Sequence, residues 1–344
     1  MVYLHTVPHN KMATNQHVIS NTTVTMSPHQ MKQTLPVPPS VVAFVNDARH
    51  TIQRILTGED PRRLIIVGPC SIHDPVAALD YATRLSEIKA ANVFIVMRTY
   101  FEKPRTSVGW SGLIADPDID GTGDVANGLQ IARKLLLDIN QLGVPCATEM
   151  LSMLTPQYID DLISFVAIGA RTVESQPHRE LASGLSMPVG FKNNSDGHLE
   201  PAVHAITSAA EPKSFIGCNL NGQISAVRTS GNAHCCVILR GSYTAGPNFQ
   251  PEHITRCQEL QLAQGQLLRA VVDASHGNSG KSATRQLAVI EKVWRDAHPF
   301  CAGIMIESFI EHGNQKSPTV YGKSITDECI SWDETVTLFR EVFR

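Results

Sequence analysis

Six basic side chains, Arg98, Lys103, Arg105, Arg171, Lys192 and Arg240, each follow closely on a short apolar run. Gathered in one cleft, they would repel one another unless anions occupied the space between them. A polyanionic substrate follows. Arginine grips phosphate or carboxylate oxygens with a planar fork, while lysine acts as a point charge and proton donor, so phosphorylated small molecules fit. In Glu102-Lys103-Pro104-Arg105-Thr106 the proline fixes φ, so two cations and a hydroxyl can be held toward one anion at reduced entropic cost. A second set, Cys70, His276, Glu307 and Asp327, offers one thiol, one imidazole and two carboxylates. Such mixed donors suit a catalytic divalent ion (Mn, Fe, Co or Zn) better than a closed structural zinc site. Taken singly, each residue has a plainer role: an arginine paired with a neighbouring carboxylate, Cys70 filling a core, His276 bonding a turn, Glu307 partnering an arginine. The metal reading rests on the four together.

Positioning these residues requires a repeated element. Short β-branched runs at 64–67, 93–97, 144–148, 165–168, 188–191, 236–239, 270–273 and 303–306 are each followed by a polar turn and a helical pattern. Near-continuous apolar strands alternating with helices predict a parallel sheet, and eight such units close into a (β/α)8 TIM barrel. An open doubly wound sheet is the alternative, although no GxGxxG follows any strand. In a barrel, chemistry occurs at the C-terminal strand ends, where Cys70, Arg98, Glu149, Arg171, Lys192, Arg240, His276 and Glu307 stand in order. Lys103, Arg105 and Asp327 fall on nearby loops. Ile131, Leu135, Ile139 and Leu142 form one helical stripe, and Asp74-Pro75 reads as an N-cap and first helical residue, a device repeated in Thr155-Pro156. A helix over 42–56 precedes the first strand, and Asn221-Gly222 marks a β-hairpin over 215–227, between the fifth and sixth strands. The division is an N-terminal arm, 1–38, extended through its prolines at 36, 38 and 39, then a catalytic barrel, 39–344, with the hairpin inserted at about 213–229.

The 344 residues allow one large domain or two ordinary ones, and 42% hydrophobic with 18% charged residues excludes disorder throughout. A net charge of −3 provides no global field for nucleic acid or an anionic membrane. The eight cysteines show no CxxC, which fits a reducing cytosol; no 18-residue apolar stretch or signal peptide is present, so a cytoplasmic protein is expected.

Seven linked motifs closely resemble the class I 3-deoxy-D-arabino-heptulosonate 7-phosphate (DAHP) synthases. They are Gly68-Pro69-Cys70-Ser71-Ile72-His73, the run Arg98 to Thr106, Gly169 to Gln176, Gly190-Phe191-Lys192-Asn193, Ser275-His276-Gly277-Asn278, Glu307-Ser308 and Tyr321 to Asp327. The resemblance covers about residues 36–344. It implies condensation of phosphoenolpyruvate with erythrose 4-phosphate and water, giving DAHP and phosphate, the transferase step that opens the shikimate pathway to aromatic amino acids. It also implies roles. Cys70, His276, Glu307 and Asp327 match the metal ligands, whose metal is left open. Arg98, Arg171, Lys192 and Arg240 match the residues holding phosphoenolpyruvate, with Lys103 bridging to the second substrate; Arg105 and Thr106 match the clamp on erythrose 4-phosphate, and Glu149 a residue near the phosphate. Lys103, Cys70 and His276 are the expected catalytic groups. Pro156, Leu181, Leu185, Ser186, Phe215 and Val227 match the lining of an aromatic amino acid effector site, or else simply pack the hairpin onto the barrel. A homodimer or homotetramer is implied. The segment Gly241 to Asn248 departs from the family, being two residues longer and lacking a lysine. Two other readings are a related phosphoenolpyruvate-using sugar-acid synthase and a regulatory paralogue that binds an amino acid.

Overall fold

The computed structural model describes residues 25–344, and the arm's first 24 residues lie outside the described region. Among the described residues ten strands run in chain order: β1 (Arg63–Gly68), β2 (Val93–Arg98), β3 (Cys146–Glu149), β4 (Phe165–Ile168), β5 (Val189–Lys192), β6 (Ser214–Cys218), β7 (Ile224–Arg228), β8 (Cys235–Leu239), β9 (Ala270–Asp273) and β10 (Cys301–Glu307). Eight of them close a parallel barrel in the order β1-β10-β9-β8-β5-β4-β3-β2, while β6 and β7 pair antiparallel outside it. This is the predicted (β/α)8 barrel with its hairpin between the fifth and sixth barrel strands. Closure falls between β1 and β10, where Leu64 pairs with Gly303 and Gly68 with Glu307.

Side-chain alternation divides the core in two. Leu64, Ile66, Val96, Phe165, Ile238, Val271 and Met305 form the inner cluster, whereas Ile65, Val67, Met97, Val166, Val189 and Val272 face the surrounding helices. Ile52, Ile55 and Leu56, at the end of the helix Pro39–Thr57, join the inner cluster and close the floor below the strands.

Three local expectations change. Val144 and Pro145 precede β3, since proline has no N–H for a ladder; Pro145 instead accepts through its carbonyl from Met97 N. In the helix Val125–Gln141 the buried face is Leu129, Ala132, Leu135, Leu136 and Ile139, while Leu142 is the exposed C-cap. Asp74 caps its helix through Val76 N and Ala77 N, but Thr155 has helical backbone angles and no capping bond, its hydroxyl donating to Glu102 at 3.3 Å instead. Within the arm, Pro28–Thr34 is a helix, with Met31 fully buried. Its N-terminal end is pinned twice: His29 N donates to Leu220 O at 2.7 Å on the hairpin turn, and Tyr158 donates to Met26 O at 2.8 Å.

Candidate active site

The turn leaving β1 must pass very close to β2. Gly68 has φ +155°, and a Cβ there would lie 2.8 Å from Arg98 O, so glycine alone lets Cys70 follow immediately at the rim. Cys70, Glu307 and Asp327 then converge, one ligand atom from each lying within 4.8 Å of the others. His276 stands beside them, outside that mutual distance, with Nε2 3.7 Å from Glu307 Oε1. Lys103 reaches into the group, its Nζ 2.7 Å from Cys70 Sγ and 3.8 Å from Asp327 Oδ2.

Burial pushes the Cys70 thiol up to about 11, helped by the Glu307 carboxylate, which leaves a protonated thiol beside an ammonium. Burial works to lower the Lys103 value, but Cys70, Asp327 and Glu307 raise it further than burial lowers it. Asp327 is held low against burial by Lys103 and by Lys281, whose Nζ is 2.9 Å from Oδ1. These donors fit a divalent cation: one soft and two hard ligand atoms converge, and the protein's own ammonium already lies among them. The plainer role left open for Glu307 is realised as well, since Arg98 Nη2 donates to Oε1 at 3.1 Å with both residues buried.

Beside the donors opens a cavity of about 280 Å³, lined by Lys103, Arg105, Thr106, Glu149, Arg171, Lys192, Arg240, His276 and Asp327 from the predicted set. Arg98 lies deeper and does not line it; its Nε donates to Pro69 O and its guanidinium stacks 3.9 Å from the Tyr100 ring centre. Its Nη1 is buried without a partner. An orphaned buried donor of this kind is costly, and an anion beside it would satisfy it. Arg171 Nη2 donates to Thr106 Oγ1 at 2.9 Å, tying the loop after β4 to the loop after β2. Glu149 is buried at the end of β3 against Gly169, where a Cβ would come within 2.1 Å of Oε1.

Four residues at this site were assigned no role from the sequence. Lys281 and Tyr243 line the cavity. Asp273 accepts from Lys192 Nζ at 2.9 Å, and Ser275 donates to Glu307 Oε2 at 2.7 Å. Lys281 was signalled by its place five residues after His276 in a Gly-rich turn, and Tyr243 by the lengthened segment after Arg240; Asp273 merely ended an apolar run.

A larger cavity, about 1030 Å³, lies between the hairpin and the barrel. Pro156, Leu181, Leu185, Ser186, Phe215 and Val227 all line it.

A closed parallel barrel carrying clustered cations beside a thiol–carboxylate donor set defines a (β/α)8 enzyme of phosphorylated substrates. The sequence matches the model of the DAHP synthetase I family over residues 29–340, and the chain belongs to that family. It is 48% identical to the Tyr-sensitive phospho-2-dehydro-3-deoxyheptonate aldolase of Escherichia coli K12, over 96% of each chain. It is also 48% identical to the Trp-sensitive enzyme of the same strain, over 92% of this chain and 93% of the relative. The solved structure of phospho-2-dehydro-3-deoxyheptonate aldolase from Francisella tularensis SCHU S4 superposes with a TM-score of 0.92 at 42% identity, covering 94% of this chain and 97% of that one. No helix among the described residues is long and apolar enough to cross a membrane.

Proposed function

We propose that the chain condenses phosphoenolpyruvate with erythrose 4-phosphate and water to give DAHP and inorganic phosphate. The observation that carries this reading is that Lys103 belongs to both halves of the site, lining the anion cavity while touching Cys70. Cys70, His276, Glu307 and Asp327 would hold the divalent ion, Mn, Fe, Co or Zn. When bound, such an ion supplies Lewis acidity to the sugar aldehyde or activates water.

The chain's own groups do the rest. Arg98, Arg171, Lys192 and Arg240 hold the phosphate and carboxylate of phosphoenolpyruvate, with Glu149 beside the phosphate, and Arg105 with Thr106 clamps the second phosphate. Held in this way, C3 of phosphoenolpyruvate faces C1 of the aldehyde, and the bimolecular reaction becomes one of positioned groups. Lys103 keeps its proton, since neighbouring anions raise its value, and so stands ready as a donor at Nζ. The same cations stabilise the departing phosphate.

The large cavity takes an aromatic amino acid that feeds back on turnover, as the names of the Tyr-sensitive and Trp-sensitive relatives suggest. The catalytic unit is 39–344, acting in the cytoplasm as a homodimer or homotetramer. The test is phosphoenolpyruvate consumption with erythrose 4-phosphate after chelation and then Mn²⁺ addition, with and without phenylalanine, tyrosine and tryptophan. Metal-restored turnover, suppressed by one amino acid, is expected; folded protein inactive with every divalent metal would overturn the assignment.

A further inference from the structure

Asp273 ends β9 with its side chain fully buried, and its two oxygens are divided between neighbours. Oδ1 accepts from Ser275 N at 3.0 Å, which fixes the carboxylate's rotation. Oδ2 meets Lys192 Nζ at 2.9 Å and lies 2.8 Å from His276 Nδ1. That imidazole nitrogen is buried and makes no hydrogen bond of good geometry, so the Oδ2 set 2.8 Å from it is placed to face its proton. His276 has φ +51°, a left-handed backbone that a non-glycine residue adopts only where its surroundings hold it. A single carboxylate thus touches one side chain of the anion cavity and one beside the Cys70, Glu307 and Asp327 donors.

We propose that Asp273 is a positioning residue that couples the two halves of the site. This rests on the condensation reading above. With Oδ2 set 2.8 Å from Nδ1, it favours the tautomer protonated there, whose Nε2 lone pair is free on the side facing Glu307, as outer carboxylates do for metal-binding histidines. By accepting from Lys192 it fixes the ammonium that meets the substrate's anionic end. Lys192 is buried, and without its 2.9 Å carboxylate partner its charge would stand beside Arg98 with only the more distant Glu149 to offset it whenever no substrate is bound. Asp273 neither lines the anion cavity nor belongs to the Cys70, Glu307 and Asp327 donor set, so its effect is exerted through Lys192 and His276.

The test uses the full chain and Asp273→Asn, which keeps the side chain's shape. Mn²⁺ binding to the apo protein is measured without substrate by electron spin resonance, and phosphoenolpyruvate binding to the metal-free protein by calorimetry. Coupling predicts that both weaken in the one variant, Mn²⁺ by roughly 10-fold or more, with the melting temperature of the apo protein as the control for folding. Loss of only one affinity, or of neither, would overturn the proposal. Should the variant fail to fold, nitrogen-15 spectra of histidine in the wild-type apo protein decide the matter, the His276 signals being assigned by their absence from His276→Gln. Protonated Nδ1 with bare Nε2 supports the assignment, and the opposite tautomer overturns it. None of these readouts is turnover, so a failed synthase assignment would show itself separately, as an inactive wild type.

Discussion

Lys103 is the residue on which the two halves of the site meet, and removing its charge separates what it does for each. Lys103→Met leaves the anion cavity short of a cation and deprives the reaction of its proton donor. Loss of a positioned general acid typically costs 10²–10⁴-fold, and turnover of the variant is expected to fall by about that factor in the phosphoenolpyruvate assay. The same change takes a competing ammonium away from Cys70 and Asp327, so Mn²⁺ affinity of the apo variant should equal or exceed that of the wild type. Glu102, next in the chain, has the opposite character. Burial raises its carboxyl above the usual 4.5, against hydrogen bonds from Leu151 N, Ser152 N and Thr155 Oγ1. An acid whose folded value is raised binds its proton more tightly in the native state, so its contribution is present below 4.5 and is lost as pH rises through the folded value. The melting temperature of the wild type should therefore fall relative to Glu102→Gln as pH rises from 4 to 7, and a flat difference would refute this.

At the scale of elements, the segment after β8 is held by Asn248 alone at three points: Oδ1 accepts from Gly241 N at 2.7 Å, Nδ2 donates to Asn193 Oδ1 at 3.1 Å, and its backbone N donates to Asn278 Oδ1. Asn248→Ala keeps the backbone bond and leaves Asn193 Oδ1 its bond from Arg240 N, but it strands the Gly241 N–H, which costs about 1–3 kcal/mol, and it loosens the chain beside Arg240. Denaturant melts should show that loss, and the KM for phosphoenolpyruvate should rise several-fold. The barrel strands were legible in the sequence because burial on both faces leaves β-branched runs that no helix period explains. The rim was legible for the same reason, since each run ends at a position that must face the mouth. What escaped was whatever depended on partners distant in sequence. Asp273 reads as the polar end of an apolar strand until Lys192 and His276 are seen beside it. Thr155 looks like a cap until Glu102 takes its hydroxyl. The helix Val125–Gln141 presents a face rotated from the one its isoleucines suggested, because what covers Leu129, Ala132 and Leu136 is set by packing against neighbouring elements.

Across the whole molecule, the hairpin, the arm segment and the residues around Pro156 form a second body of contacts behind the barrel mouth. His29 joins the hairpin turn, Tyr158 holds Met26, and Lys32 pairs with Asp160 at 2.8 Å. The large cavity lies within this group, so an occupant there presses on Met153, Leu154 and Pro156, adjacent to the backbone that Glu102 accepts from. If the proposed amino acid effector binds there, Ser186→Phe would fill part of that volume, and the concentration needed for half-suppression should rise about 10-fold, a loss of about 1.4 kcal/mol of binding. Leu64 finding Gly303 has a further consequence, for how the protein is made. The pairing that seals the barrel joins the first of the described strands to the last, and Asp327 follows later still. All six site cations, up to Arg240, are therefore synthesised before the carboxylates of Glu307 and Asp327, and the metal donors come together only once β10 has closed the barrel. A released fragment ending before Cys301 should retain no Mn²⁺ where the full chain does.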